Sequence, residues 1–522
     1  MKYIYNLFIF GALLLSSCKK DILDLNPTDQ LSSANFWKSK SDFNMALTSC
    51  YNTLQNYYIS SGIQDLDGIS DNGVSVFSYA NEQSINQNIT IASHATDMWY
   101  YDGYKRLTSY NIFLKNLAVY QNTDVSEPEK KNYEAQVRLM RAMEYYRLWV
   151  FYGSVPLVLE PLTVATQYVE KASAEAIYQQ VIADCDFAIA NLPAADFWAT
   201  SGHLNKAAAQ VVKARACLYH GYDPDGVARA ADMNTVASVT GDIINSGQFQ
   251  LGTYYRGLFA PSVGQQANNK EYIFAVYFLG PNNSKYGLWG FNVSTMQFYW
   301  QSVHPSQSLL DAYEFSDGTP FKPGDARIDP KHLYKNRDPR MAQTVCIDTV
   351  HWEDGSFNVL GAPKYPTIPY LFWKSCDKEE VVQNGGVNAQ KENTNITAYV
   401  PAIRYAEVLL SYAEAVNELD GPTKAVYDAV DTVRARAKMP SLPAGLGKEQ
   451  MRERIRQERR VELAFEGFRY FDIKRWRIAG KVLHGMNDGL ITRQFISPKN
   501  YLWPLPEQEV QINRNLKQNT DY

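Results

Sequence analysis

Carboxylates and arginines at helical spacing are the first residues in this 522-residue chain that could do chemistry. Glu458, Glu462 and Glu466 recur four residues apart, and so do Arg452, Arg456 and Arg460. Two carboxylates on one face could work as an acid and a base. Each of these Glu residues, however, has an Arg three or four positions away. Neighbouring cations hold a carboxylate ionised rather than raise its pKa. The expected role is an ion-pair lattice that supports the helix and its packing. Arg475 and Trp476 are expected to stack beside it.

Asp65, Asp67, Asp71 and Asn72 form an acidic cluster in the stretch DLDGISDNG. It resembles a calcium loop weakly, because the position for the closing Glu is Val76. A solvated loop is the simpler expectation. The chain has no nucleophile elbow, Walker loop, HExxH or CxxC motif, and its 7 His and 6 Cys give little supply for metal or thiol chemistry. No catalytic residue, metal ligand or cofactor is therefore expected. With 51 Lys plus Arg against 55 acids, no basic surface for nucleic acid is expected either.

Aromatic residues are the abundant resource: 36 Tyr, 23 Phe and 10 Trp. Sugar rings present apolar C–H faces that stack on flat rings, and their hydroxyls need amides or carboxylates close by. Two loop regions combine both features. In 65–101, Tyr79 and Trp99 accompany Asn72; in 281–304, Tyr286, Trp289, Tyr299 and Trp300 accompany Asn292. These eight residues are the candidate ligand contacts, with Trp289 and Trp300 foremost and Trp99 also readable as helix packing. Aromatics in helical stretches such as 145–152 are expected to be core.

The elements that must position these loops are mostly helices. Lys2 and the apolar run Ile4–Leu15 suit a signal peptide over 1–17. Leu15-Ser16-Ser17-Cys18 resembles a lipobox, so Cys18 is expected to carry lipid, with residues 18–40 as a tether. Cys50, Cys185 and Cys217 read as buried thiols, whereas Cys346 and Cys376 could form a disulfide. From 41 to about 246 and again over 401–440 the pattern is helical. Arg141-Ala142, Arg215-Ala216 and the run Arg404–Ala415 each open a helix that a second one follows, at about 171–191, 232–246 and 423–437. Such pairs, with small residues and Tyr in rhythm, look like tetratricopeptide repeats. Between them, 247–400 reads as a loop-rich insertion with short strands such as Tyr272–Phe278. A charged helix over 448–466 and an irregular tail to 522 complete a single large domain.

Several segments carry a family resemblance. The start Cys18-Lys19-Lys20-Asp21-Ile22-Leu23-Asp24 resembles the mature start of SusD/RagB lipoproteins of Bacteroidetes. Arg404–Ala415 is similar to their fourth repeat helix, and Glu458–Trp476 to their most characteristic segment, with Phe468 where His is common. Arg138–Ala142 through Tyr152–Leu157, and Leu502–Pro506 with the polar residues after it, match as well. The resemblance implies an all-α fold of four tetratricopeptide-like units with a large irregular insertion. It implies a lipoprotein on the outer face of the outer membrane that captures a glycan. It also implies a lid over a TonB-dependent SusC-like transporter, and no enzymatic activity. A surface glycan hydrolase and an interaction scaffold without a small ligand are the alternatives.

Overall fold

The computed structural model describes residues 36–59, 63–76, 94–260, 263–279, 303–347 and 367–376, then 398–487 and 489–522, with short stretches at 349–351, 355, 357–359, 381–382 and 386–387. Eight of the described helices build the scaffold. They are α1 (Lys40–Ile59), α2 (His94–Ala118), α3 (Glu127–Tyr152) and α4 (Ala174–Asn191), then α5 (Lys206–His220), α6 (Ala230–Asn245), α7 (Tyr405–Asp420) and α8 (Lys424–Arg436). Each packs on the next in chain order. They make the four expected pairs, and the stack passes directly from α6 to α7 across the whole insertion.

Local signals set the helix ends. Glu129 accepts from the backbone N–H of Ser126 at 3.0 Å, with Pro128 in the first turn of α3. Ser173 and Asn205 cap α4 and α5 by accepting from Ala176 and Ala208. Gly153 ends α3 at φ 70°, a conformation glycine adopts without strain. Small residues then let neighbours close in. Ala142, Ala216, Ala406 and Ala413 are fully buried. A Cβ on Gly103 of α2 would lie 2.8 Å from the Glu144 carboxylate of α3.

Helix α9 (Lys448–Glu462) bridges scaffold and insertion. Met451 and Ile455 face the main core, while Val461, with Ala464 and Phe465 just past the helix end, closes a second core with Leu310, Tyr313, Met341 and Phe372 from the insertion. Cys346 and Cys376 are buried in that same core as free thiols, so the disulfide that the sequence left open is not formed. Cys50, Cys185 and Cys217 are buried thiols as read.

The ion-pair lattice exists, but its partners differ from the expected ones. Glu458 meets Arg340 at 2.5 Å and Arg434 at 2.9 Å, and Glu462 meets Arg340 and Arg404 at 3.0 and 2.6 Å and also pairs with Arg436. Glu466 pairs with Arg404 and Lys374, both at 2.6 Å. All are buried. The lattice therefore ties separate elements together instead of stapling one helix. Arg456 lies over the Trp476 ring at 4.8 Å and Arg475 at 4.6 Å, giving the expected stack.

Two antiparallel ribbons organise the irregular part. Strands β2 (Tyr272–Phe278) and β4 (Ala398–Arg404) pair from Phe278↔Ala398 to Tyr272↔Arg404. Strands β1 (Gly73–Ser75) and β3 (Val303–Pro305) pair with Ser75 opposite Val303.

Candidate ligand-binding site

The acidic stretch around Asp67 is neither solvated nor a calcium loop: it is a buried clamp. Asp71 receives Arg469 at 2.7 and 2.9 Å and lies 3.1 Å from Arg460. Burial works to raise its pKa, and the two arginines overcome that, leaving it well below the usual carboxylate range. Asp67 accepts from the Gly467 N–H at 3.0 Å and from the Asn72 amide at 2.8 Å. Burial dominates there and pushes its pKa up to about 6. No group of His, Cys, Asp and Glu suited to a metal occurs among the described residues.

Two of the eight expected ligand contacts fall inside the protein, which corrects them. Asn72 is fully buried, with its amide on Asp67 and its oxygen accepting from Arg460 at 2.8 Å. A clamp residue with both ends engaged offers nothing to a ligand. Trp99 is buried in α2, with the Arg147 guanidinium 3.5 Å above its ring and the edges of Phe151 and Trp503 against it. Tyr79, Tyr286, Trp289, Asn292, Tyr299 and Trp300 lie outside the described residues. Their stems are described, and the clamp fixes them. Ser75, just before the first loop, is paired with Val303, just after the second. The Ser306 hydroxyl and N–H reach back to the carbonyls of Asp71 and Asn72 at 2.6 and 2.9 Å. The two candidate loops thus share one attachment point.

The second loop starts beside an aromatic cleft of about 690 Å³, walled by α1, the 197–203 turn and the β2–β4 ribbon. That volume is within the range of small-ligand sites. Tyr277 and Tyr399 face each other across the ribbon and stack, with centroids 4.6 Å apart and planes 19° from parallel. Tyr277 is 39% exposed in a strand otherwise buried from Tyr272 to Phe278. Trp198 stands over the edge of Tyr399 at 5.1 Å, and its indole N–H is held by the Asn269 carbonyl at 2.9 Å. The turn carrying Trp198 reverses through Ser201 and Gly202, at φ 53° and 84°. It presents the exposed His203, whose ring lies edge-on to Tyr51 at 5.0 Å.

Polar groups line the opposite wall. The Gln55 amide donates to the Tyr277 carbonyl at 2.8 Å, and Asn52 and Ser49 are exposed on α1. Stacked rings, one of them held by a hydrogen bond, flanked by amides and a hydroxyl, suit a flat polar ligand with apolar C–H faces. Sequence reading missed this cleft. Tyr277 sits in the run YIFAVYF, which reads as core throughout, and Trp198 lies in a short connection between helix pairs. The available signal was the FWATSGH stretch, where two aromatics precede a Ser-Gly turn.

The model of the SusD family matches residues 258–522, and a second, described as starch-binding associating with outer membrane, matches 21–218. A SusD-like protein of Formosa agariphila is 25% identical over 539 residues, covering 98% of each chain. A SusD-like protein of Bacteroides ovatus is 24% identical over 487 residues, covering 89% of this chain and 81% of its own. Among solved structures, a SusD-like carbohydrate binding protein from Bacteroides fragilis superposes with a TM-score of 0.77 at 27% identity, over 92% of this chain and all of the other. A laminarin binding SusD-like protein shares the fold at a TM-score of 0.69 and 23% identity, over 93% of this chain and 100% of its own. Four helix pairs, an insertion between the third and fourth, and a family match over the C-terminal half agree in one assignment: the chain belongs to the SusD family.

Proposed function

We propose that this protein captures a glycan at the cell surface and passes it to a TonB-dependent SusC-like transporter, held to the outer membrane by lipid on Cys18. The observation that carries the glycan reading is the Trp198–Tyr399–Tyr277 cleft with its amide-lined wall. Trp289, Trp300, Tyr299, Tyr286, Asn292 and Tyr79, read from the sequence, are proposed as further ligand contacts. The carbohydrate-binding relative from Bacteroides fragilis, sharing the fold over its full length, supports the same class. Binding without catalysis fits the state of the conspicuous carboxylates. Glu458, Glu462 and Glu466 each face buried cations, so none is poised as a general acid.

The test is titration of the purified mature chain with a panel of neutral oligosaccharides. Tyr277→Ala and Trp198→Ala are each expected to weaken binding about tenfold, the scale of one lost aromatic stack, while Tyr277→Phe retains it. Trp289→Ala and Trp300→Ala test the loops separately. Unchanged affinity in all four alanine variants would remove the site. Release of shortened product from a bound glycan would favour a hydrolase instead.

A further inference from the structure

A second cavity, of about 790 Å³, opens on the far part of the scaffold between α3, α4, α5 and the C-terminal tail. Its character is cationic. Lys171, Lys474, Arg477 and Lys499 all line it. Among the described residues, none of the four has a carboxylate at ion-pair distance. Lys171 donates to the Asn519 side-chain oxygen at 3.2 Å, and Lys474 to the Val150 carbonyl at 2.9 Å. Arg477 lies over the Tyr501 ring at 4.8 Å, and Lys499 over Tyr522 at 4.5 Å. The acids at the cavity are Glu175, which is 3.2 Å from His220, and the exposed Asp521.

Lys474 is the telling residue. It is 1% exposed, yet among the described residues one backbone carbonyl is its only hydrogen-bond acceptor, with the Tyr470 ring 4.9 Å from the ammonium. A buried ammonium has three donors and is costly to leave without a counter-charge. Several other buried cations in this molecule are matched by carboxylates: Lys374 has Glu466, Arg404 has three glutamates, and Arg475 has Glu414 and Asp472. Buried Arg337, which does not line this cavity, meets backbone carbonyls and aromatic rings instead. Burial, with Arg477 nearby, lowers the pKa of Lys474 to about 7. The missing counter-charge is what a ligand would bring.

We propose that this cavity binds an acidic sugar unit, a hexose carrying a carboxylate or a sulfate ester. The anionic group would meet Lys474, Arg477 and Lys171. The ring would lie among Tyr219, Tyr222 and Tyr501, which share the cavity wall. The cavity volume of about 790 Å³ and the three tyrosines favour a sugar over an extended acidic peptide. The sugar assignment rests on the glycan reading above, but the site is separate from the aromatic cleft.

The experiment is calorimetric titration of the full mature chain with glucuronate, glucose 6-sulfate, glucose, inorganic sulfate and a tetraglutamate peptide. Both charged sugars are expected to bind, and glucose to bind at least tenfold more weakly, because charge-assisted hydrogen bonds are about twice as strong as neutral ones. Arg477→Gln and Lys171→Gln, both less buried than Lys474, should each weaken the charged sugars about tenfold and leave neutral-glycan binding at the cleft unchanged. Lys474→Met, which keeps the volume, should abolish the preference for charge. Equal binding of glucose and glucuronate, or indifference of charged-sugar affinity to Arg477→Gln and Lys171→Gln, would overturn the proposal. Sulfate alone binding as tightly as glucose 6-sulfate would overturn the sugar assignment, and so would tetraglutamate binding in preference to both charged sugars. Loss of neutral-glycan binding in the cleft variants, with charged-sugar binding intact, distinguishes the two sites.

Discussion

Glu414 of α7 shows how single residues here carry large energies. It is fully enclosed, bonded to Arg475 at 2.7 Å, to the Trp476 indole at 2.8 Å and to the Tyr222 hydroxyl at 2.6 Å. Burial favours its neutral form, but Arg475 outweighs that, so its pKa falls from 4.5 to about 2. A folded-state pKa below the unfolded one contributes stability that is complete above about pH 4.5 and disappears as pH falls to about 2. The shift is worth on the order of 3 kcal/mol. Urea unfolding measured from pH 7 to pH 2 should therefore show wild type losing stability in that window. Glu414→Gln should start roughly 3 kcal/mol lower at pH 7, because Arg475 is left buried, and should lose less on acidification. At this scale the sequence showed that Glu458 and Glu462 are matched by arginines, but not which ones, since the partners come from other elements. It was not legible for Asn72 or Tyr277. Burial of the one and exposure of the other depend on elements hundreds of residues away.

At the scale of elements, close approach decides. Gly103 lets α2 settle onto α3 where the Arg106–Glu144 pair is buried, 2.7 Å across. Alanine there gains about 1 kcal/mol in helix propensity. It also drives a methyl into the Glu144 oxygen at 2.8 Å and Leu148 at 3.1 Å. Overpacking of this kind costs about 1–3 kcal/mol, and displacing a buried carboxylate from its arginine adds to it. Gly103→Ala is thus expected to lower the unfolding midpoint, measured by calorimetry, despite its better propensity. The pairs themselves were readable: α4, α6 and α8 start and stop within a few residues of the expected spans. The charged helix ends at Glu462, four residues early, because the chain turns through Phe465 and Gly467 at φ 60° and 79° to reach the Asp67 clamp. That clamp joins residues 400 apart in sequence, and no local pattern announces it.

For the whole molecule, Arg404 is the hinge pin between scaffold and insertion. It ends β4 and contacts Glu271, Glu462 and Glu466 at 2.9, 2.6 and 2.6 Å. Arg404→Leu leaves three buried carboxylates short of a partner, and breaking even one such pair costs about 3–5 kcal/mol. The expected result is a split calorimetric transition, with the insertion core of Leu310, Met341 and Phe372 melting before the helix stack. A single transition merely shifted downward would show that the two cores do not depend on this residue for their coupling. The order of helix pairs and the placement of the insertion were legible as patterns in sequence. The dependence of insertion on scaffold was not, since its arginines and glutamates are drawn from five separate segments.

The pairing of Ser75 with Val303 has a consequence for how such a protein changes over generations. The first loop leaves from, and the second returns to, the same short ribbon, and among the described residues that ribbon is pinned by Asp67, Asp71 and Ser306. Lengthening a rooted loop is cheap, about 0.6 kcal/mol for each doubling. Insertions, deletions and wholesale exchange between 77 and 93 or between 280 and 302 therefore leave the roots where they are. If those two stretches hold the ligand as proposed, its identity can be rewritten there while the described frame is inherited unaltered.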